Sequence, residues 1–283
     1  MTYQELLKTG QRKLEEAGVP DGNLDARLLL EFACHVTRST LLAHGDRVAG
    51  PSEEEAYLAL LQKRSERIPL QHLTGEQDFM GLTFEVNEDV LIPRQDTEIL
   101  VEEVMKDLHG GSSILDLCTG SGCILISLLK YSNHCHGVGV DLSEKALEVA
   151  NRNAKALIPQ EDYAFLKGDL FRPVEGKFDV LTSNPPYIPS ESIKELMPEV
   201  RDHEPKMALD GLEDGLHFYR RILEECPPYL NGGAQLFFEI GHDQGKAVSD
   251  LMAEAGCREV RIVKDYAGLD RVVCGTFSPK DGL

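Results

Sequence analysis

The hydrophobic positions of this chain change their spacing once, near residue 75. Before that point they recur at helical intervals. Tyr3, Leu6, Leu7, Leu14 and Ala17 fall on one helical stripe. A compact apolar run at 28–33 follows Asp25, which reads as an N-cap. Ser52-Glu53-Glu54-Glu55 has the form of a capping box, with Pro51 in front and Tyr57, Leu58, Leu60 and Leu61 behind. Pro69 ends that helix, because proline cannot continue one. No alternating pattern interrupts the stretch, so residues 1–75 predict a small helical bundle.

Beyond residue 75 the period shortens. Residues 79–86 and 90–92 are short β-like pieces around Asn87-Glu88-Asp89, and they predict a hairpin within 76–92 that links two domains. A helix follows with Leu100, Val104 and Leu108 four residues apart. From Ser113 onward, apolar runs at 114–117, 137–141, 163–166, 180–183, 235–240, 258–263 and 271–277 alternate with helical stretches. Those stretches are 123–130, one opening at Ser143, 215–226 and 244–255. Such alternation predicts, over 76–283, an α/β domain with a seven-stranded, mostly parallel sheet covered by helices on both faces. Residues 265–270 are too short for a helix, so the last strand should be antiparallel.

Composition adds exclusions. With 42% hydrophobic and 27% charged residues, the chain reads as an ordinary globular protein. No apolar run approaches the roughly 18–20 residues that span a bilayer, and the first residues do not form a secretion signal. The expectation is a cytoplasmic protein without a membrane partner. Asp plus Glu total 48 against 29 Lys plus Arg, a net charge of −19, which argues against direct nucleic-acid binding. Seven cysteines without a Cys-x-x-Cys pair fit a reducing compartment. His134-Cys135-His136 looks metal-like, yet consecutive strand residues point to opposite faces and no second ligand cluster follows, so no metal is expected.

Candidate chemistry sits at the ends of successive strands. Asp116-Leu117-Cys118-Thr119-Gly120-Ser121-Gly122 joins a strand to a helix, where glycine lets backbone approach a ligand beside the amide-rich helix start. Asp141 ends the next strand, nineteen residues after Gly122, placed to accept from both hydroxyls of an adenosine ribose. Gly168-Asp169-Leu170-Phe171 follows the third strand; Asp169 suits an adenine amino group and Leu170 a ring face. The turn lacks the Gly-x-Gly-x-x-Gly of dinucleotide folds, since Cys118 holds the first position and Cys123 follows Gly122.

Asn184-Pro185-Pro186-Tyr187 follows the fourth strand, at the carboxyl end of the sheet where open α/β sheets bind ligands. The prolines remove donors and fix φ. The Asn184 side-chain oxygen and the Pro185 carbonyl can each accept one hydrogen of a planar NH₂ group, and Tyr187 offers an aromatic wall. Asp179 and Glu239 are the carboxylates to consider as a general base, and each also has a plain structural reading.

The strand-end pattern resembles the class I S-adenosylmethionine-dependent methyltransferases, with a Rossmann-like sheet, although most members carry Gly where Cys118 stands. The tetrapeptide is shared by enzymes that methylate adenine N6, guanine N2 and glutamine N5. Pro69-Leu70-Gln71-His72-Leu73-Thr74-Gly75, Phe79, Leu91-Ile92-Pro93-Arg94-Gln95-Asp96-Thr97-Glu98 and Glu204-Pro205…Ala208-Leu209 strongly resemble the release factor glutamine methyltransferases, the PrmC (HemK) family. That resemblance covers essentially the whole chain. It implies N5-methylation of the Gly-Gly-Gln glutamine of bacterial class 1 peptide chain release factors, docked partly by residues 1–75. It implies S-adenosyl-L-methionine as cofactor and S-adenosyl-L-homocysteine as product. It also implies cofactor contacts from Cys118, Thr119, Gly120, Ser121, Gly122, Asp141, Asp169, Leu170 and Asn184, with Asn184, Pro185, Pro186 and Tyr187 holding the glutamine. The residues 93–98 border either the methionine end of the cofactor or simply a helix start. A nucleic-acid amino-methyltransferase is the alternative, disfavoured by the acidic balance.

Overall fold

The computed structural model describes residues 1–278 and divides the chain into two compact units. Unit 1 is Met1–Glu76 together with Met197–His203; unit 2 is Gln77–Leu196 with Glu204–Leu283.

Unit 1 contains α1 (Tyr3–Glu16), α2 (Gly22–Cys34), α3 (Arg38–Ala43), α4 (Pro51–Ser65) and α5 (Leu70–Thr74). Tyr3, Leu6 and Leu14 bury one stripe of α1 against Ala26, Leu29 and Leu30 of α2 and Tyr57 and Leu61 of α4. Tyr57 is fully buried, and its hydroxyl donates to the Ala26 carbonyl (3.0 Å), so its polar end costs little. Three local expectations change. Asp25 is not a cap: α2 starts at Gly22, and Asp25 lies inside the helix, buried against Arg64 of α4 (2.7 Å). The α4 cap is Gly50 rather than Ser52; Pro51 takes the first helical position, where its missing N–H is not needed, and the Glu53 carboxylate accepts the Gly50 amide (2.7 Å). Pro69 does not stop α4, which ends at Ser65; it caps α5.

A two-stranded hairpin follows, of β1 (Glu76–Phe79), whose first residue belongs to unit 1 and the rest to unit 2, and β2 (Leu82–Glu85). The turn is Met80-Gly81, not 87–89. Both residues have positive φ (51° and 71°), as a two-residue turn matched to strand twist requires. Residues 87–89 form a separate turn, in which Asn87 accepts the Asp89 amide (2.9 Å), and 90–92 form no strand. There follow α6 (Gln95–Asp107), β3 (Ser113–Leu117), α7 (Cys123–Tyr131), β4 (His136–Asp141), α8 (Glu144–Leu157), β5 (Asp162–Lys167) and β6 (Phe178–Ser183). After β6 come α9 (Pro198–His203, in unit 1), α10 (Lys206–Leu209), α11 (His217–Glu225), β7 (Leu230–Glu239), α12 (Gly245–Glu254), β8 (Cys257–Lys264) and β9 (Asp270–Phe277).

The sheet order is β5-β4-β3-β6-β7-β9-β8. β3 to β7 are parallel, and β9 is antiparallel to both β7 and β8. Successive strand residues feed two cores. Ile114, Val180 and Phe237 pack on one face with α6 and α7. Leu115, Leu181 and Phe238 pack on the other with α11 and α12. That is why the central strands read as continuous apolar runs. The chain winds outward from β3 to β5, then returns beside β3 as β6. The resulting switch point opens a crevice at the carboxyl ends of β3 and β6. Among the described residues no helix is long and apolar enough to cross a membrane. Cys135 is buried with its thiol on the His109 carbonyl (3.3 Å), while His134 and His136 are exposed.

Candidate active site

The crevice holds a cavity of about 460 Å³, within the range of small-molecule sites. Register explains why distant residues meet there. Leu117 pairs with both Val140 and Ser183, so Cys118, Asp141 and Asn184 leave the sheet at one level. Asp141 pairs with Lys167, which brings Gly168 and Asp169 to the same rim.

The β3–α7 turn is tightly tied. Thr119 donates its amide to the Val140 carbonyl (3.0 Å) and its hydroxyl to Asp116 (2.6 Å). Asp116 also accepts the Thr182 hydroxyl (2.8 Å) and is fully buried. Burial pushes its carboxyl up to about 7 against those two hydrogen bonds. Cys118 has φ of 59°, Gly120 56° and Gly122 80°. The first of these is a conformation glycine adopts without strain, and Cys118 takes it nonetheless. Cys118, Thr119, Gly120 and Ser121 line the cavity, but Gly122 does not. A Cβ on Gly122 would come within 2.9 Å of Ile126 and 3.2 Å of Ala150, so its absence lets α7 and α8 pack.

Asp141 lines the cavity with its carboxylate already accepting the Gly120 and Ser143 amides, both at 2.9 Å. Burial raises its pKa, and these amides oppose the rise. Asp169 and Leu170 also line it. Asp169 is held by Arg221 of α11 through two contacts (2.9 and 3.2 Å), a bidentate pairing that holds the carboxyl below its usual range. No sequence motif announced Arg221.

Asn184 and Pro186 line the same cavity; Pro185 and Tyr187 do not. Tyr187 instead directs its hydroxyl toward Glu239 at the end of β7 (3.5 Å). Pro93, Arg94 and Thr97 complete one wall, with Arg94 paired to the buried Glu204. Glu98 is turned away and accepts the Met80 amide of the hairpin (2.6 Å). Residues 205–208, Asp210, Leu212 and Phe218 also line the cavity. Of these, only Pro205, Ala208 and their neighbours had a signature in the sequence.

The two candidate bases separate. Asp179 lies at the amino end of β6, away from Asn184, and accepts from Ser113 and Asn231. Burial raises its pKa, but those hydrogen bonds outweigh it and leave the carboxyl below its usual range. Its work is to join β3 and β6. Glu239 is 1% exposed, and one of its oxygens has no hydrogen-bond partner among the described residues. Burial pushes it up to about 7, against Thr97 and Arg271. The folded state therefore holds this proton more tightly than the unfolded chain. That stabilisation is complete below about pH 4.5 and is lost as pH rises through about 7. Glu239→Gln cannot titrate. Melting temperatures at about pH 5 and about pH 8 should show the wild type losing ground to Glu239→Gln at the higher pH; a constant gap would contradict the shift.

Residues 5–75 match the family model for the PrmC N-terminal domain, and residues 94–199 match the methyltransferase small domain. A release factor glutamine methyltransferase of Geobacter sulfurreducens is 39% identical over 97% of this chain and 96% of its own. Those of Caulobacter vibrioides and Moorella thermoacetica are each 42% identical, over 94% and 96% of this chain and 93% and 97% of theirs. A solved methyltransferase from Pyrococcus furiosus shares the fold, with a TM-score of 0.53 at 20% identity over 71% of this chain and 91% of that one. The fold is shared beyond these relatives, whereas identity of about 40% over more than nine-tenths of both chains is specific: the chain belongs to the release factor glutamine methyltransferase family.

Proposed function

We propose that this protein methylates the side-chain amide nitrogen of the glutamine in the Gly-Gly-Gln loop of bacterial class 1 release factors, with S-adenosylmethionine as methyl donor. The observation that carries this reading is that Asn184 lines the same cavity as the β3–α7 turn and Asp141. An amide-holding oxygen and an adenosine-sized site are then one compartment.

The residues present fit the cofactor. Asp141 is a carboxylate at the end of β4, and each of its oxygens keeps a lone pair for a ribose hydroxyl beside the amide it already accepts. Leu142, Ile124 and Leu170 give the cavity apolar surface for a purine. The cofactor, when bound, supplies a methyl group on a sulfonium. Asn184 and the Pro185 carbonyl would accept the two amide hydrogens and orient the nitrogen. An amide nitrogen is a weak nucleophile because its lone pair is delocalised. Orientation therefore carries much of the rate, and well-placed reactants reach effective molarities of about 10⁵ M or more. The helical residues 1–75 are the part we assign to docking the release factor.

Incubation with unmodified release factor and S-adenosylmethionine, followed by peptide mass analysis, should add one methyl (about 14 Da) to the Gly-Gly-Gln peptide. Methylation of ribosomal RNA or DNA instead, with none on the release factor, would overturn the substrate assignment.

A further inference from the structure

The peptide that follows Asn184-Pro185-Pro186 is held by residues with no role in the chemistry above. Gln244, the residue before α12, is 8% exposed. Its side-chain NH₂ donates to the Tyr187 carbonyl (3.0 Å) and the Gly215 carbonyl (3.3 Å), and its oxygen accepts the Gly241 amide (3.0 Å). Both donors and an acceptor lone pair are thereby used. The backbone around Tyr187 leaves no slack. A Cβ on Gly215 would lie 2.2 Å from the Tyr187 carbonyl oxygen and 2.6 Å from Gln244 Nε2. A Cβ on Gly211 would lie 2.8 Å from Tyr187 Cα. Ile188 and Ser190 donate to the Leu209 and Leu212 carbonyls (3.0 and 2.9 Å), and Gly211 donates back to Ile188 (2.8 Å).

We infer that Gln244 is a positioning residue for methyl transfer, fixing the Tyr187 carbonyl and through it the Pro185 carbonyl and Asn184. Between Asn184 and the held carbonyl of Tyr187 stand two prolines and the Tyr187 Cα alone. The fixed φ of the prolines leaves little torsional freedom to absorb a displacement, so movement at Tyr187 is passed on to the amide-holding oxygens. A misplacement of about 1 Å at reacting groups can cost about 10²-fold in rate. Residues 188–190 also run beside 209–212, so one clip fixes both the segment after Asn184 and the stretch that brings Leu212 to the cavity. The inference rests on reading residues 184–187 as the amide-holding segment.

The test uses the full chain and full release factor. Gln244→Met keeps the side-chain length and removes both donors. Its kcat should fall by about 10- to 100-fold, while KM for the release factor and affinity for S-adenosylmethionine stay within about threefold. In the absence of substrate, hydrogen exchange at the Ile188 and Ser190 amides should speed up by about tenfold or more. A folded Gln244→Met protein with wild-type kcat overturns the inference, as does unchanged exchange. If that variant does not fold, Gln244→Glu, which keeps an oxygen for the Gly241 amide and loses the NH₂ that holds the Tyr187 carbonyl, is judged by the same two readouts. A wild-type protein that leaves release factor unmodified sinks the substrate reading; the exchange result then decides the clip by itself.

Discussion

Asn184→Ala should lose about 10²- to 10³-fold in kcat/KM for release factor while the protein stays folded. The magnitude is that of removing one preorganised hydrogen-bonding group from an active site. Here the lost group is the oxygen that would accept one of the two amide hydrogens. The fold should survive for a specific reason. Among the described residues the Asn184 side chain makes no hydrogen bond, and its cavity-facing surface is not core. Removing it orphans no partner and leaves only added space in a cavity that is already open. The adjacent core residue Ser183, which donates to the Leu117 carbonyl (2.7 Å), keeps the strand end in place. Thermal melts of wild type and variant should agree within about 2 °C, since a 1 kcal/mol change moves a transition by about 2–4 °C in a chain of this size. Equilibrium binding of S-adenosylmethionine separates the roles of the residue. Loss of turnover with binding nearly intact fits an amide-holding role. Wild-type turnover from Asn184→Ala would remove Asn184 from the mechanism.

What could be read from the sequence follows from how far each interaction reaches. The parallel sheet was legible because its cores lie on both faces, giving unbroken apolar runs such as 114–117. The antiparallel β9 was legible because Asp265 ties its turn locally, accepting the Ala267 and Leu269 amides. The strand-end positions of Cys118, Asp141 and Asn184 were legible for the same reason: each sits directly after a strand. The hairpin turn was misplaced because Met80 is an unusual residue for a positive-φ turn position. Its support comes from the Glu98 carboxylate and the Tyr131 hydroxyl, far along the chain. Pairings such as Arg221 with Asp169 and Gln244 with Tyr187, 52 and 57 residues apart, leave no local periodicity. They are the parts of the site that only the fold reveals. So is the way the chain leaves unit 2 after Leu196 and returns at Glu204.

That excursion carries the largest stability effect we expect. Inside unit 1, Arg64 is 5% exposed and stands between two buried carboxylates. Its Nε is 2.7 Å from Asp25, and its Nη2 is 3.0 Å from Glu199 of α9. Arg67 grips Glu199 with two further hydrogen bonds, both 2.6 Å, from a backbone held at φ of 70°. Arg64→Ala would leave Asp25 buried without a counter-charge. Burial already raises the pKa of Asp25 despite the Arg64 contact, so the unpaired carboxylate must take up a proton or draw in water. Breaking a buried pair from one side costs about 3–5 kcal/mol. Glu199 should suffer less, since Arg67 remains. The companion variant separates the worth of the pair from the harm of an orphan. Asp25→Leu combined with Arg64→Met replaces both charges by apolar groups of similar size, and such exchanges are often neutral or stabilising. Chemical denaturation of the full chain should therefore rank the double variant well above Arg64→Ala. If the two are equally unstable, packing by the Arg64 side chain rather than the unpaired charge sets the cost. If Arg64→Ala loses less than about 1 kcal/mol, the range of exposed pairs, then Asp25 reaches water and the buried network does not hold α9 in unit 1.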